Sequence, residues 1–146
     1  MLMRDDLPVA DEIDWLEKPA KKRGNPELLV QRAVIAFVKR CVAGGFAFHV
    51  PNETGARTGR GHLFARHRAG VVSGVPDIYA FWPGGSCWME CKADKGKLSD
   101  AQEAMLSMLR DAGQHVGVVR GVEDAEAVLR AAGAPLRTSR LAGAPA

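Results

Sequence analysis

The sequence predicts an α/β domain in the order helix, strand, hairpin, helix, strand, helix, and three observations predict it. Asn25-Pro26 opens a run of helical periodicity that Gly44-Gly45 closes. Residues 75–82 and 86–92 form two apolar, aromatic-rich runs joined across Pro83-Gly84-Gly85. Ser99-Asp100-Ala101-Gln102 then opens a second amphipathic run, followed by the strand-type segment HVGVVR at residues 115–120. Helical and strand-type segments alternating in one short chain are the pattern of α/β folds. With 146 residues, 47% of them apolar, the chain has the size of one hydrophobic core.

Residues 1–24 begin acidic, end in KKRG and contain Pro8 and Pro19, which predicts a flexible N-terminal arm. The domain proper is expected over 25–133. Its first helix has asparagine at the cap and proline at the first helical position, where the missing N–H costs nothing. FAFHV, residues 46–50, alternates Phe46, Phe48 and Val50 with Ala47 and His49, the period of a strand. Proline and two glycines between the next two runs supply hairpin-turn chemistry. In the second helix, Ser99 and Gln102 have the spacing of a capping box. Met105, Leu106, Met108, Leu109 and Ala112 are expected as its apolar face, with Gly113 as its stop. A further helix is expected over 122–132. Residues 134–146, with two prolines and no periodicity, are expected to form a flexible tail.

A net charge of +3 permits a polyanionic partner without requiring one, so the distribution of charge matters more than its sum. The stretch GARTGRGHLFARHRAG at 55–70 has four arginines, two histidines, four glycines and no acid. It is too polar and glycine-rich for a packed element. Arg57, Arg60, Arg66 and Arg68 there, extended by Lys95 and Lys97, are the nucleic-acid-binding candidates, since guanidinium and ammonium groups meet phosphates while glycine permits close approach. The same residues also fit a plain solvated loop. Cys41, Cys87 and Cys91 are odd in number and sit in apolar surroundings, which argues against a secreted disulfide framework and for a reducing, cytoplasmic setting. No run of about 18 apolar residues suggests a membrane span. His62, His67, Cys87 and Cys91 have no recognised zinc spacing.

Glu90 and Lys92 lie two apart on a strand and share a face with Trp88, while Cys87, Met89 and Cys91 point the other way. The hairpin folds the segment after Asp77 back beside that strand, so two carboxylates come within reach of one ammonium. Partly buried carboxylates repel each other and lose hydration unless a cation or a proton compensates. Oxygen donors without a Cys/His set favour Mg²⁺ or Mn²⁺ over zinc. Alone, the same string also describes a turn-capping aspartate and a solvated Glu-Lys pair. Glu27 lies on one helical stripe with Gln31, Val34 and Val38; it is equally a dipole-favoured acid of a first turn.

Gly74-Val75-Pro76-Asp77, Glu90-Cys91-Lys92 and Leu98-Ser99-Asp100-Ala101-Gln102 together resemble the PD-(D/E)XK nucleases, and among them the virus-type replication-repair nuclease (VRR-NUC) family, over roughly residues 26–120. The resemblance implies a restriction-endonuclease-like core ordered α-β-β-β-α-β, to which the chain adds a C-terminal helix. It implies Asp77, Glu90 and the Cys91 carbonyl oxygen as metal ligands, with Glu27 a further ligand directly or through water. Lys92 is implied as the catalytic lysine; a lysine here is often assigned as a base, but neighbouring carboxylates favour its ammonium form while a bound divalent ion pushes the other way, and the charged form is expected. Gln102 is implied beside the active site, although its capping role alone would explain it. The expected cofactor is Mg²⁺ or Mn²⁺. The expected reaction is DNA phosphodiester hydrolysis leaving a 5′-phosphate and a 3′-hydroxyl. Small members of the family further imply a homodimer acting on branched DNA such as four-way junctions. A non-catalytic DNA-binding module on the same fold and a restriction-type duplex endonuclease are the alternatives. The parts played by His49, Asn52 and Glu53 stay open at this level.

Overall fold

The computed structural model describes residues 24–51 and 70–137. The expected arm at 1–23, the basic loop with Arg57, Arg60, Arg66 and Arg68, the residues Asn52 and Glu53, and the end of the expected tail from 138 lie outside the described residues. The elements are α1 (Pro26–Cys41), β1 (Phe46–His49), β2 (Ile78–Trp82), β3 (Gly85–Cys91), α2 (Asp100–Asp111), β4 (Val116–Val119) and α3 (Val122–Ala131). This is the expected order, a mixed α/β arrangement compatible with a PD-(D/E)XK-like core.

Local chemistry fixes the ends of these elements. The Asn25 side chain accepts the Glu27 N–H at 3.0 Å, and Pro26 takes the first helical position. β2 and β3 are joined through Pro83 and Gly84, with Gly84 at φ 95°. Glycine adopts this value without the clash that a Cβ would bring. At the start of α2 both halves of the capping box form: Ser99 Oγ accepts the Gln102 N–H at 3.2 Å and Gln102 Oε1 accepts the Ser99 N–H at 2.9 Å.

The four strands lie in the order β1-β2-β3-β4, antiparallel except for the parallel β3–β4 pair. The parallel pair requires a crossover, and α2 supplies it. Ala47, Ala80 and Cys87 are aligned across three strands, all buried. They form one core with Val34 and Val38 of α1 and Ala125 and Leu129 of α3. Both of those helices therefore cover one face of the sheet. α2 lies against β4 and buries Leu106, which stands apart from that core.

Two expectations are corrected. Met108 is 64% exposed and Ala112 also faces solvent, whereas Leu106 is buried. At about 100° per residue, Met108 points well away from the stripe that Leu106 occupies. Residues 134–137, expected as the start of a flexible tail, are instead bonded into the fold. Ala43 N–H donates to Pro135 O at 2.9 Å and Arg137 N–H to Cys41 O at 2.7 Å, while Val42 and Leu136 form an isolated β-bridge. Residues 134–137 are thus held to the end of α1, where their backbone satisfies carbonyl and amide groups that the helix leaves open. Among the described residues, no helix is long and apolar enough to cross a membrane.

Candidate active site

Asp77 immediately precedes β2, and its Oδ2 accepts the Cys91 N–H at 2.9 Å. This bond holds the carboxylate beside the end of β3, next to Glu90. Glu90 is almost fully buried, at 1% exposure, and Lys92 is buried too, at 7%. The Lys92 Nζ lies 3.3 Å from Glu90 Oε1 and 3.8 Å from Glu27 Oε1. α1 contributes Glu27 from its first turn, so acids from the helix and the sheet meet around one ammonium.

Gln102 Nε2 donates to Glu90 Oε1 at 2.5 Å while its Oε1 caps α2. Both ends of the amide are in use, which fixes its orientation. Capping and contact with the site, alternatives in the sequence, are simultaneous in the structure. A single side chain thereby ties the start of α2 to the central acid of β3.

The electrostatics follow from burial. Desolvation, with the nearby Asp77 carboxylate, pushes the Glu90 carboxyl up to about 7, and Lys92 only partly offsets this. Asp77 is also raised by burial, against the lowering effect of the Cys91 N–H and of His49. The Cys91 thiol points into the apolar core, and burial pushes it up to about 12. The backbone of Cys91, rather than its sulfur, faces the acids.

Oxygen donors in a desolvated place, short of positive charge, suit a hard cation by ligand type. Among the described residues, no three His, Cys, Asp or Glu side chains lie close enough together to hold an ion between them. Glu27 is instead drawn toward Lys92. The paired carboxylates of Asp77 and Glu90 still meet the need of Mg²⁺, which is commonly held by one or two carboxylates and completes its shell with water.

Glu27, Gln31, His49 and Asp77 line a cleft of about 90 Å³ together with Asn25 and Leu28. The structure thus brings Glu27, Asp77, Glu90, Lys92 and Gln102 together. Lys95 and Lys97 are exposed on the loop after β3, on either side of Gly96, where an added Cβ would stand 3.4 Å from Glu27 Oε1.

Three positioning features had no clear signal in the sequence. His49 Nδ1 lies 3.1 Å from the Asp77 carbonyl, to which an imidazole N–H donates. Arg120 Nη1 donates to the Ala93 and Asp94 carbonyls at 2.5 and 3.2 Å, pinning the loop that leaves Lys92. Gly74, at φ 83°, packs so closely that a Cβ would lie 2.3 Å from Ala101 O. The segment carrying Asp77 is thereby seated on the start of α2. His49 was visible beforehand only as a residue whose part stayed open, and Gly74 only as part of a motif whose contact lies some 27 residues away.

This fold, with its grouping of acids, lysine and glutamine, is a mixed α/β arrangement compatible with a PD-(D/E)XK-like core. The family model for the VRR-NUC domain matches residues 48–123, just over half of the chain, and the chain belongs to that family. A nuclease domain implies DNA as its substrate. The match begins after α1, so the placement of Glu27 rests on the geometry alone. No curated protein matches the chain.

Proposed function

We propose that the chain is a Mg²⁺- or Mn²⁺-dependent DNA endonuclease that hydrolyses phosphodiesters, with branched DNA such as four-way junctions as substrate and a homodimer as the working form. The supporting observation is the convergence of Glu27, Glu90 and Lys92 beside an Asp77 carboxylate held by the Cys91 N–H. Asp77 and Glu90 would hold the metal, with Glu27 completing its surroundings through water and the Cys91 carbonyl as a further donor. The metal, when bound, supplies Lewis-acid polarisation of the phosphate.

The chain's own groups do the rest. Lys92 is a buried ammonium whose charge is worth more there than in water, and it donates to phosphate oxygens as negative charge builds on them. Gln102 holds Glu90 in place from the opposite side. Water attacks phosphorus and the bond to the 3′ oxygen breaks, leaving a 5′-phosphate and a 3′-hydroxyl. Lys95 and Lys97, together with Arg57, Arg60, Arg66 and Arg68 in sequence, supply cations for the flanking phosphates.

Labelled four-way junction, flap and linear duplex incubated with Mg²⁺ or EDTA test this directly. Metal-dependent cutting of the junction, absent in Asp77→Ala, is the expected result. Binding without cutting would make the chain a DNA-binding module on a nuclease fold, and sequence-specific cuts in linear duplex would make it a restriction-type enzyme. A mass measurement in solution checks the homodimer.

A further inference from the structure

Among the described residues, the face of the sheet that carries Glu90 is only partly covered. α2 shields its β4 side, but over β1 and β2 the rings of Phe46, Phe48 and Phe81 are 47%, 43% and 41% exposed. They belong to one aromatic cluster. Phe46 meets Phe81 at 5.9 Å between centroids, Phe48 meets Tyr79 at 5.7 Å, and Tyr79 meets both Phe81 at 6.1 Å and Trp88 at 4.6 Å. Soluble domains usually place polar residues on an open sheet face, so a contiguous aromatic strip there calls for an occupant.

Three observations point to what it is. The strip is continuous with the site: Trp88 shares its face of β3 with Glu90, and Tyr79 follows Asp77 by two residues at the start of β2. Cations stand at both ends, with Lys39 Nζ 4.9 Å from the centre of the Phe46 ring and Lys95 and Lys97 on the loop beside Glu27. The area is small. At roughly 200 Å² per aromatic side chain, the three exposed rings offer on the order of 250–300 Å², the footprint of a few bases. An apolar strip of that size between cations, running up to the acids, suits a few unstacked bases on a phosphate backbone.

The geometry points to a base-stacking platform: Phe46, Phe48, Tyr79, Phe81 and Trp88 take the bases of an unpaired DNA strand leading to the acids. This inference rests on the nuclease reading for where the strand leads, and it adds to branched DNA the requirement of a strand unpaired beside the cut, as in a flap or at the opened centre of a junction.

The test is binding of a short fluorescent oligothymidylate, in EDTA so that no turnover occurs, by fluorescence anisotropy. Wild type should bind it, and Phe48→Ala/Phe81→Ala should bind at least about tenfold more weakly, the loss of one or two base stacks. Duplex binding and solution mass should stay unchanged, with binding compared at a temperature where both proteins are fully folded, because losing two packed rings lowers the melting temperature. Phe48→Tyr/Phe81→Tyr, which keeps the rings, should bind as wild type does. No binding by wild type, or equal binding by the alanine variant, overturns the proposal. A fall in solution mass in the alanine variant also overturns it, in favour of a second copy on this face. Because these arms need no cleavage, a wild type that binds oligothymidylate but never cuts DNA would sink the nuclease reading and leave the platform standing.

Discussion

Glu90 is the most deeply buried acid among the described residues and touches both Lys92 and Gln102. Its carboxyl rises from an ordinary 4.5 to about 7. The folded protein then keeps a proton that the unfolded chain gives up, so stability falls as pH rises from 4.5 to about 7 and levels off above that. Asp77, also raised, acts in the same direction. Melting curves across that range should show this decline in EDTA, and Glu90→Gln should flatten it. Above pH 7, Mg²⁺ should raise the melting temperature of wild type by several degrees and leave Glu90→Gln nearly unmoved. Cys91 makes the opposite case. Only its backbone N–H reaches Asp77, while its sulfur lies in the core. Cys91→Val should therefore keep cleavage within about twofold and change stability by less than about 1.5 kcal/mol, measured by turnover and urea unfolding.

Among the elements, the contact between the segment before β2 and the start of α2 has the largest consequences for the site. α2 reaches Glu90 through Gln102, and Gly74 seats the Asp77 segment on the Ala101 carbonyl. Any side chain at residue 74 faces a left-handed backbone and a backbone oxygen at 2.3 Å. Gly74→Ala should cost about 2 kcal/mol or more. It should also lower cleavage more than an equally destabilising core change such as Val38→Ala, because it moves Asp77 relative to Glu90. Comparing the two variants at matched fractions folded checks this. The boundaries of α1 and α2 were legible from Asn25-Pro26 and from Ser99 and Gln102, because capping is local. The exposure of Met108 was not, since it depends on which stripe of α2 meets β4.

At the scale of the whole molecule, residues 134–137 close the domain by bonding to Cys41 and Ala43, with Leu136 packed on the core. A chain ending at residue 137 keeps these contacts. One ending at 133 should lose about 2–4 kcal/mol, the worth of two backbone hydrogen bonds and a half-buried leucine. Chemical denaturation of the two truncations distinguishes these outcomes. The sequence suggested a tail from residue 134 because four residues without periodicity carry no signal of the partner they find across the fold.

The sequence alone determined the order of the elements, their caps, the hairpin and the alternation that sets Glu90 and Lys92 on one face of β3, since each depends on neighbours a few positions apart. Tertiary structure decided that Asp77 takes the N–H of Cys91, that Gln102 spans from its cap to Glu90, that Glu27 leans on Lys92, and that the described elements leave an aromatic strip of the sheet uncovered. Strand register and the seating of helices on a sheet are settled by packing between segments far apart in the chain, and no local pattern encodes that packing.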